Sequence, residues 1–285
     1  MKTRKIFYFI PIFLFFSFTS CSSDSENSNS TDFATEKTLL NVSYGSNSQQ
    51  VFDLYLPANR SESSTKTLIL IHGGGWVEGD KADFNYIISN LKTSLPNYAI
   101  ANINYRLSTV GNPAFPMQIN DITSVISKLK NSNYGISDDF GFIGASAGAH
   151  LSMLYGYGYN TDNNIKMVCS IVGPTNFTDE NYLNDPTFNG LLDNVIGFSY
   201  EGNETQYQQL SPLFRATSTS PPTLMFYGNA DPLIPTTQGI ALDNRLTELS
   251  VYHEFNLYNG GHGDWSATDQ IDSYNKLVAF INNKF

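Results

Sequence analysis

The chain has 285 residues, 41% hydrophobic and 14% aromatic, a composition that excludes a disordered protein and is enough for one large core. Its formal net charge is −10, and its basic residues cluster only at the extreme amino terminus. That balance argues against nucleic acid and anionic membranes as partners and leaves a neutral ligand open.

Lys2, Arg4 and Lys5 precede the 13-residue apolar run Ile6–Phe18, which is short for a bilayer span and right for the core of a signal peptide. Thr19 and Ser20 then lead to Cys21. The pattern resembles the lipobox of a bacterial lipoprotein, with Phe18 where Leu is usual; an ordinary secretory signal is the competing reading. Residues 1–20 are therefore expected to be a signal peptide and Cys21 a lipidation site. Residues 21–37 are expected to be a tether, because Ser22–Thr35 is polar and low in complexity. The expected location is outside the cell or on a bacterial outer membrane, with the membrane touched only through the lipid. The other cysteine, Cys169, lies in "KMVCSIV" and is expected to be a buried small hydrophobe. With Cys21 lipidated, no intramolecular disulfide is possible.

The folded domain is expected over residues 38–285. "TLLNVSY" and "QQVFDLYLP" read as an antiparallel pair joined through "GSNS". Further strands are predicted at Thr67–Ile71, Tyr98–Tyr105, Asp139–Ile143, Lys166–Val172, Thr223–Tyr227 and Tyr252–Leu257. Helices are predicted at Ala82–Leu95, Met117–Lys130, Thr236–Leu249 and Ala267–Asn283. In the second of these, Ile119, Ile122, Val125, Ile126 and Leu129 share one face. Such alternation implies an α/β fold with a mostly parallel sheet of eight strands and helices on both faces. Residues 173–220 break the rhythm and are expected to be an insertion over a pocket, a small lid.

Functional residues are expected beyond the carboxyl ends of the strands. "GASAG", residues 144–148, is a G-x-S-x-G pattern set between a predicted strand and the helix-like "AHLSMLYG", which would place Ser146 on a sharp turn with its hydroxyl exposed. A serine nucleophile needs a base, and the base an orienting acid. Of the four histidines, His72 and His150 precede any acid expected after the nucleophile, and His253 falls in an alternating strand pattern, where a packed or solvent-facing ring is expected. His262, in "NGGHGDW", follows that strand in a glycine-flanked loop and is the favoured base. Asp231 in "FYGNADPLIP" is the favoured acid; Asp264, close to His262 in sequence, is the alternative. "HGGGW" at 72–76 ends another strand. Bare backbone there suits an oxyanion, met by N–H donors of Gly74, Gly75 and Ala147. Trp76 is expected either to line the acyl pocket or to be a core aromatic. Arg106 and Asp121 are expected to form a structural ion pair. "YGYGY" at 155–159 could stack on sugars, with tyrosine packing at a helix end the safer expectation.

The order Ser146, Asp231, His262, each after its own strand, is that of the α/β-hydrolases. From about Thr38 onward the chain resembles α/β-hydrolase esterases of the hormone-sensitive-lipase type, through "HGGGW", "NYRL" with "FP" and Asp121, "GASAGAHL", "GNADPLIP" and "GGHG" in the family's order. "VFDLYLP" and "SAGAHL" look closer to the carbohydrate-ester hydrolases of polysaccharide-degrading bacteria. Ala145 and Ala149 stand where the hormone-sensitive type has Asp and Gly, and "YRLSTV" lacks its Glu. The resemblance implies a serine esterase without metal or cofactor. It would take a small ester or an acylated oligosaccharide, the acyl group acetyl or feruloyl, and maps the triad onto Ser146, Asp231 and His262. An arylformamidase-like amidase shares "HGG" and "SAGAHL" and is the second enzyme reading. A non-catalytic surface binding protein is the reading from a different class.

Overall fold

The computed structural model describes residues 33–285. The expected signal peptide, Cys21 and most of the expected tether lie outside the described residues. Strands β1 (Lys37–Ser43) and β2 (Val51–Leu56) are followed by β3 (Thr67–Ile71), helix α1 (Asn85–Ser94), β4 (Ala99–Ile103) and α2 (Met117–Lys130). Then come β5 (Phe140–Ala145), α3 (Ala147–Gly158) and β6 (Ile165–Ile171). Four short helices occupy the next stretch: α4 (Glu180–Leu183), α5 (Pro186–Ile196), α6 (Glu204–Gln209) and α7 (Pro212–Arg215). The chain closes with β7 (Thr223–Gly228), α8 (Thr236–Glu248), β8 (His253–Tyr258) and α9 (Ala267–Lys284).

The sheet runs in the order β1-β2-β4-β3-β5-β6-β7-β8. β1 and β2, and β2 and β4, pair antiparallel; every later pair is parallel. All five residues of β3 are buried, as expected of a central parallel strand covered on both faces. Its side chains alternate between two cores. Ile69 and Ile71 pack with Ile119, Ile122 and Val125 of α2, Leu151 and Leu154 of α3, and Leu242 of α8. Leu68 and Leu70 pack with Ile87, Ile88 and Leu91 of α1 and with Leu277, Phe280 and Ile281 of α9. Each such side chain taken out of water stabilises the fold by roughly 1.5–3 kcal/mol before entropy is counted, so both faces of the sheet are held against helices.

One expectation changes. The stretch predicted as one helix from Ala82 begins as a 3₁₀ turn over Lys81–Phe84, capped by the Asp80 carboxylate accepting from Ala82 N–H, and becomes α-helical only at Asn85. Tyr155 and Tyr157 are core residues, 7% and 8% exposed, and the Tyr157 hydroxyl bonds Thr223 Oγ1 at 2.8 Å, the packing expected of this stretch; Tyr159 is 39% exposed. Cys169 is a free, buried thiol whose pKa burial pushes up.

Candidate active site

Ser146 joins β5 to α3 with φ +52° and ψ −119°, a region that a side-chain-bearing residue occupies only when its surroundings enforce it. The enforcement is visible. Ser146 N–H donates to Ile171 O at 2.8 Å, tying the turn to β6. A Cβ at Gly144 would collide with Gly148 O, and one at Gly148 with the carbonyls of Ile71 and His72. Helix α3 thus starts hard against the end of β3, and the flanking glycines of the pattern are a packing requirement.

β7 and β8 deliver the other two groups. A Cβ at Gly228 would collide with the carbonyls of Gly260 and Gly261, so the loops that follow these strands touch backbone to backbone. His262 Nδ1 lies 2.7 Å from Asp231 Oδ2, and His262 Nε2 lies 2.9 Å from Ser146 Oγ. The network assigns the tautomer: Nδ1–H donates to the carboxylate, leaving Nε2 to accept from the serine hydroxyl. The second Asp231 oxygen accepts from Leu233 N–H at 2.8 Å and Ile234 N–H at 3.0 Å, which fixes the carboxylate's direction. Burial pushes the Asp231 pKa up, but the His262 hydrogen bond and the two N–H groups outweigh it, and the carboxyl stays below its usual range. Asp264, the alternative acid, instead accepts from Gly261 N–H at 2.7 Å and braces the loop.

The loop over residues 72–79 faces Ser146. Gly74 has φ +106°, and a Cβ there would meet Glu78 O. At Gly75 a Cβ has room, 3.8 Å from Leu191 Cδ2, so φ +55° is what favours glycine there. The backbone path therefore favours glycine at both positions. Among the described residues no protein group accepts from the N–H of Gly74, Gly75 or Ala147. Ala147 is the first residue of α3, where the free N–H groups favour negative charge.

Residues that the sequence did not single out hold this loop. The fully buried Gln118 of α2 donates from Nε2 to Trp76 O at 2.8 Å and Arg106 O at 3.0 Å. Arg106 in turn pairs with the buried Asp121 at 2.6 Å, the structural ion pair expected. The His72 ring stacks on Tyr105 at 4.3 Å, and its Nδ1–H donates to Gly73 O at 2.7 Å. A glutamine on the apolar face of an amphipathic helix, one turn before Ile122, is the one sequence signal at Gln118.

Ser146, His262 and Gly73–Gly75 line one cavity of about 510 Å³, walled by Trp76, Phe177, Tyr182, Phe188, Leu191 and Leu192. Trp76 is 3% exposed, so it is a core aromatic and a cavity wall at once. Phe177, Tyr182, Phe188 and the two leucines come from residues 173–220, whose sequence showed no motif. Buried Gln238 of α8 anchors the start of that segment, accepting from Thr175 N–H and Asn176 N–H at 2.7 and 2.8 Å. His150 anchors its end: Nε2–H donates to Leu210 O at 2.8 Å, Nδ1 accepts from Trp76 Nε1–H at 3.4 Å, and the ring stacks on Phe177 at 4.5 Å. Among the described residues no group of His, Cys, Asp and Glu could hold a metal ion.

Burial lowers the His150 pKa to about 3. The folded value lies below the unfolded one, so stability is full above the ordinary histidine pKa of 6.5 and is lost as pH falls towards 3. At about 1.4 kcal/mol per pH unit, the wild type should lose about 2 kcal/mol between pH 7 and pH 5 that His150→Gln does not lose. Urea titrations of both proteins at the two pH values check this; equal losses would show that His150 takes up its proton in the folded state.

A model of the BD-FAE family matches residues 52–246. The chain is 26% identical over 239 residues to Esterase LipC of Mycobacterium tuberculosis, covering 78% of this chain and 59% of that one. It is 24% identical over 250 residues to Isoprenylcysteine alpha-carbonyl methylesterase ICME of Arabidopsis thaliana, covering 80% and 57%. The chain thus spans little more than half the length of these curated relatives. Among solved structures, a truncated form of a carbohydrate esterase from gut microbiota superposes with a TM-score of 0.70 at 20% identity, covering 87% of this chain and 98% of that one. A bifunctional GH43-CE protein of Bacteroides eggerthii gives 0.72 at 23% identity, covering 87% and 35%. Identities this low carry the fold alone. With the sheet order above, they make this an α/β-hydrolase fold, and the match over residues 52–246 says that the chain belongs to the BD-FAE family.

Proposed function

We propose that this protein is a serine esterase that hydrolyses carboxylic esters through an acyl-enzyme, with acetyl or feruloyl groups on polysaccharides as its substrates. The observation that carries the reading is the unbroken chain Ser146 Oγ to His262 Nε2 at 2.9 Å and His262 Nδ1 to Asp231 at 2.7 Å, opening into a cavity beside unpaired N–H groups. Ser146 Oγ attacks the ester carbonyl carbon while its proton passes to His262 Nε2. Negative charge gathers on the carbonyl oxygen, which the N–H groups of Gly74, Gly75 and Ala147 receive; each such donor lowers the barrier by roughly 3–4 kcal/mol. The carbon–oxygen bond to the alcohol then breaks as His262 returns the proton to the departing oxygen. Water, deprotonated by the same nitrogen, cleaves the acyl-enzyme and frees the acid and the serine.

A cavity of about 510 Å³ with Trp76, Phe177, Tyr182 and Phe188 on its walls is far larger than an acetyl group needs and suits a flat aromatic acyl group such as feruloyl. The likeness to a carbohydrate esterase from gut microbiota favours a saccharide alcohol. The amino-terminal pattern supports export with a lipid anchor at Cys21. The test is a panel of p-nitrophenyl acetate, methyl ferulate and an aryl formamide. Turnover of the esters, with methyl ferulate ahead of acetate in kcat/KM, is the expected result. Turnover of the formamide alone would support the amidase reading, and none at all by folded protein would support a binding protein.

A further inference from the structure

Ser146 and His262 border a second recess. On the far side from the aromatic cavity lies a cleft of about 740 Å³, floored by Ile171, Val172, Phe226 and Trp265 and flanked by α1 and α9. Both helices begin at the carboxyl edge of the sheet, so their first turns rise beside the serine. Tyr86 and Asn90 stand on the α1 side; Gln270, Ile271 and Tyr274 stand on the α9 side. Tyr86 is 74% exposed and Ile271 63% exposed, so the walls of this cleft open to solvent. The aromatic cavity ends differently, on Trp76, Phe177, Tyr182, Leu192 and Ile234, none more than 3% exposed.

Composition narrows what the cleft can hold. None of its lining residues is Asp, Glu, Lys or Arg, although the chain carries 26 acidic and 16 basic residues. A charged ligand would find no partner there, and burying its charge would be costly. Aromatic rings interleaved with amide side chains suit a neutral ligand that has both apolar faces and hydroxyl groups. Gln270 donates from Nε2 to Trp265 O at 3.1 Å and keeps Oε1 to accept from such hydroxyls, Asn90 offers both a donor and an acceptor, and an exposed Tyr ring offers a flat apolar face. That is the chemistry of a sugar ring.

The geometry of the reaction assigns the two recesses. Gly74 and Gly75, with their unpaired N–H groups, line the aromatic cavity, so the carbonyl oxygen turns towards that side and the acyl group fills the buried end behind it, past the exposed Val77 and Leu233 at its mouth. The alcohol oxygen must remain within reach of His262 Nε2, which both recesses share. A polymer cannot enter the buried end formed by Trp76, Phe177 and Tyr182, but it can lie in a cleft whose walls are exposed. We propose that the cleft between the first turns of α1 and α9 binds the uncharged saccharide alcohol of the ester, with Tyr86 as its stacking face and Gln270 as a hydrogen-bonding wall. This rests on the esterase reading above.

The test compares two esters that share an acyl group, feruloylated xylo-oligosaccharide and methyl ferulate, with acetylated xylo-oligosaccharide and methyl acetate as the second pair. Tyr86→Ala should lower the ratio of kcat/KM for saccharide ester over methyl ester roughly tenfold, mostly through KM, as loss of an aromatic contact does. Gln270→Ala should move the same ratio in the same direction. Tyr86 is mainly in solvent, so its replacement leaves the fold intact. An unchanged ratio in both variants, or equal losses on both esters, overturns the assignment while leaving the esterase reading in place. No hydrolysis of any of the four esters by the wild type overturns that reading and this one with it.

Discussion

Ser146→Ala should reduce ester hydrolysis by about 10⁶-fold, to the level set by the remaining hydrogen-bond donors and by substrate binding alone. The size of the loss follows from what the side chain does. In the proposed mechanism it supplies the atom that becomes covalently bound, and no other hydroxyl lies within 3 Å of His262 Nε2 among the described hydrogen bonds. The fold should barely notice. The strained turn is held by Ser146 N–H to Ile171 O and by the contacts of Gly144 and Gly148, none of which involves Oγ, so stability should change by no more than about 1 kcal/mol. The measurement is kcat on methyl ferulate beside a urea titration, with mass spectrometry of protein treated with an alkyl phosphonate. A variant that keeps a tenth of the activity, or still takes up one phosphonate, would remove Ser146 from the role of nucleophile.

Asp231→Asn should cost about 10⁴-fold in kcat with little change in KM. In the proposed mechanism Asp231 does not touch substrate; it decides which nitrogen of His262 carries the proton. With a carboxylate at 2.7 Å from Nδ1, Nε2 is free to accept from the serine. The amide of asparagine is near-isosteric and keeps the backbone contacts to Leu233 and Ile234, but it can present its NH₂ to Nδ1. The ring then protonates on Nε2, facing Ser146, and the base is lost while the geometry is kept. Steady-state kinetics together with imidazole ¹⁵N shifts distinguish this from collapse of the loop. A loss shared equally between kcat and KM would mean that Asp231 shapes the substrate site instead.

Much of this could be read from the chain before its structure. β3 and β5 announce themselves as short apolar runs, and α2 as a clean one-sided periodicity whose predicted limits, Met117–Lys130, are those observed. Ser146, Asp231 and His262 were legible because each follows a strand and because four histidines leave few choices. Helix α3 was harder, since all but its last residue is buried; a helix apolar all round has no stripe to read. Residues 173–220 were opaque for another reason. Their helices are four to eleven residues long, started by local caps such as Asp179 and Asp185 and stabilised by packing that no local pattern records. The same holds for Gln118, Gln238 and His150. Each is a buried polar side chain whose partners are backbone atoms far away in sequence, so its meaning exists only in the assembled fold.

The hydrogen bond between His262 and Ser146 spans 116 residues, and it depends on a strand at the margin. β8, which carries His262 on its following loop, has β7 as its only strand neighbour among the described residues, and most of its residues are only half-buried. β5, which carries Ser146, sits in the middle of the sheet. Fraying from that edge would withdraw the base while the central strands and both cores stay closed. Loss of catalysis on heating should then run ahead of loss of secondary structure, and on refolding the activity should return last, because a contact so distant along the chain forms only after everything between is in register.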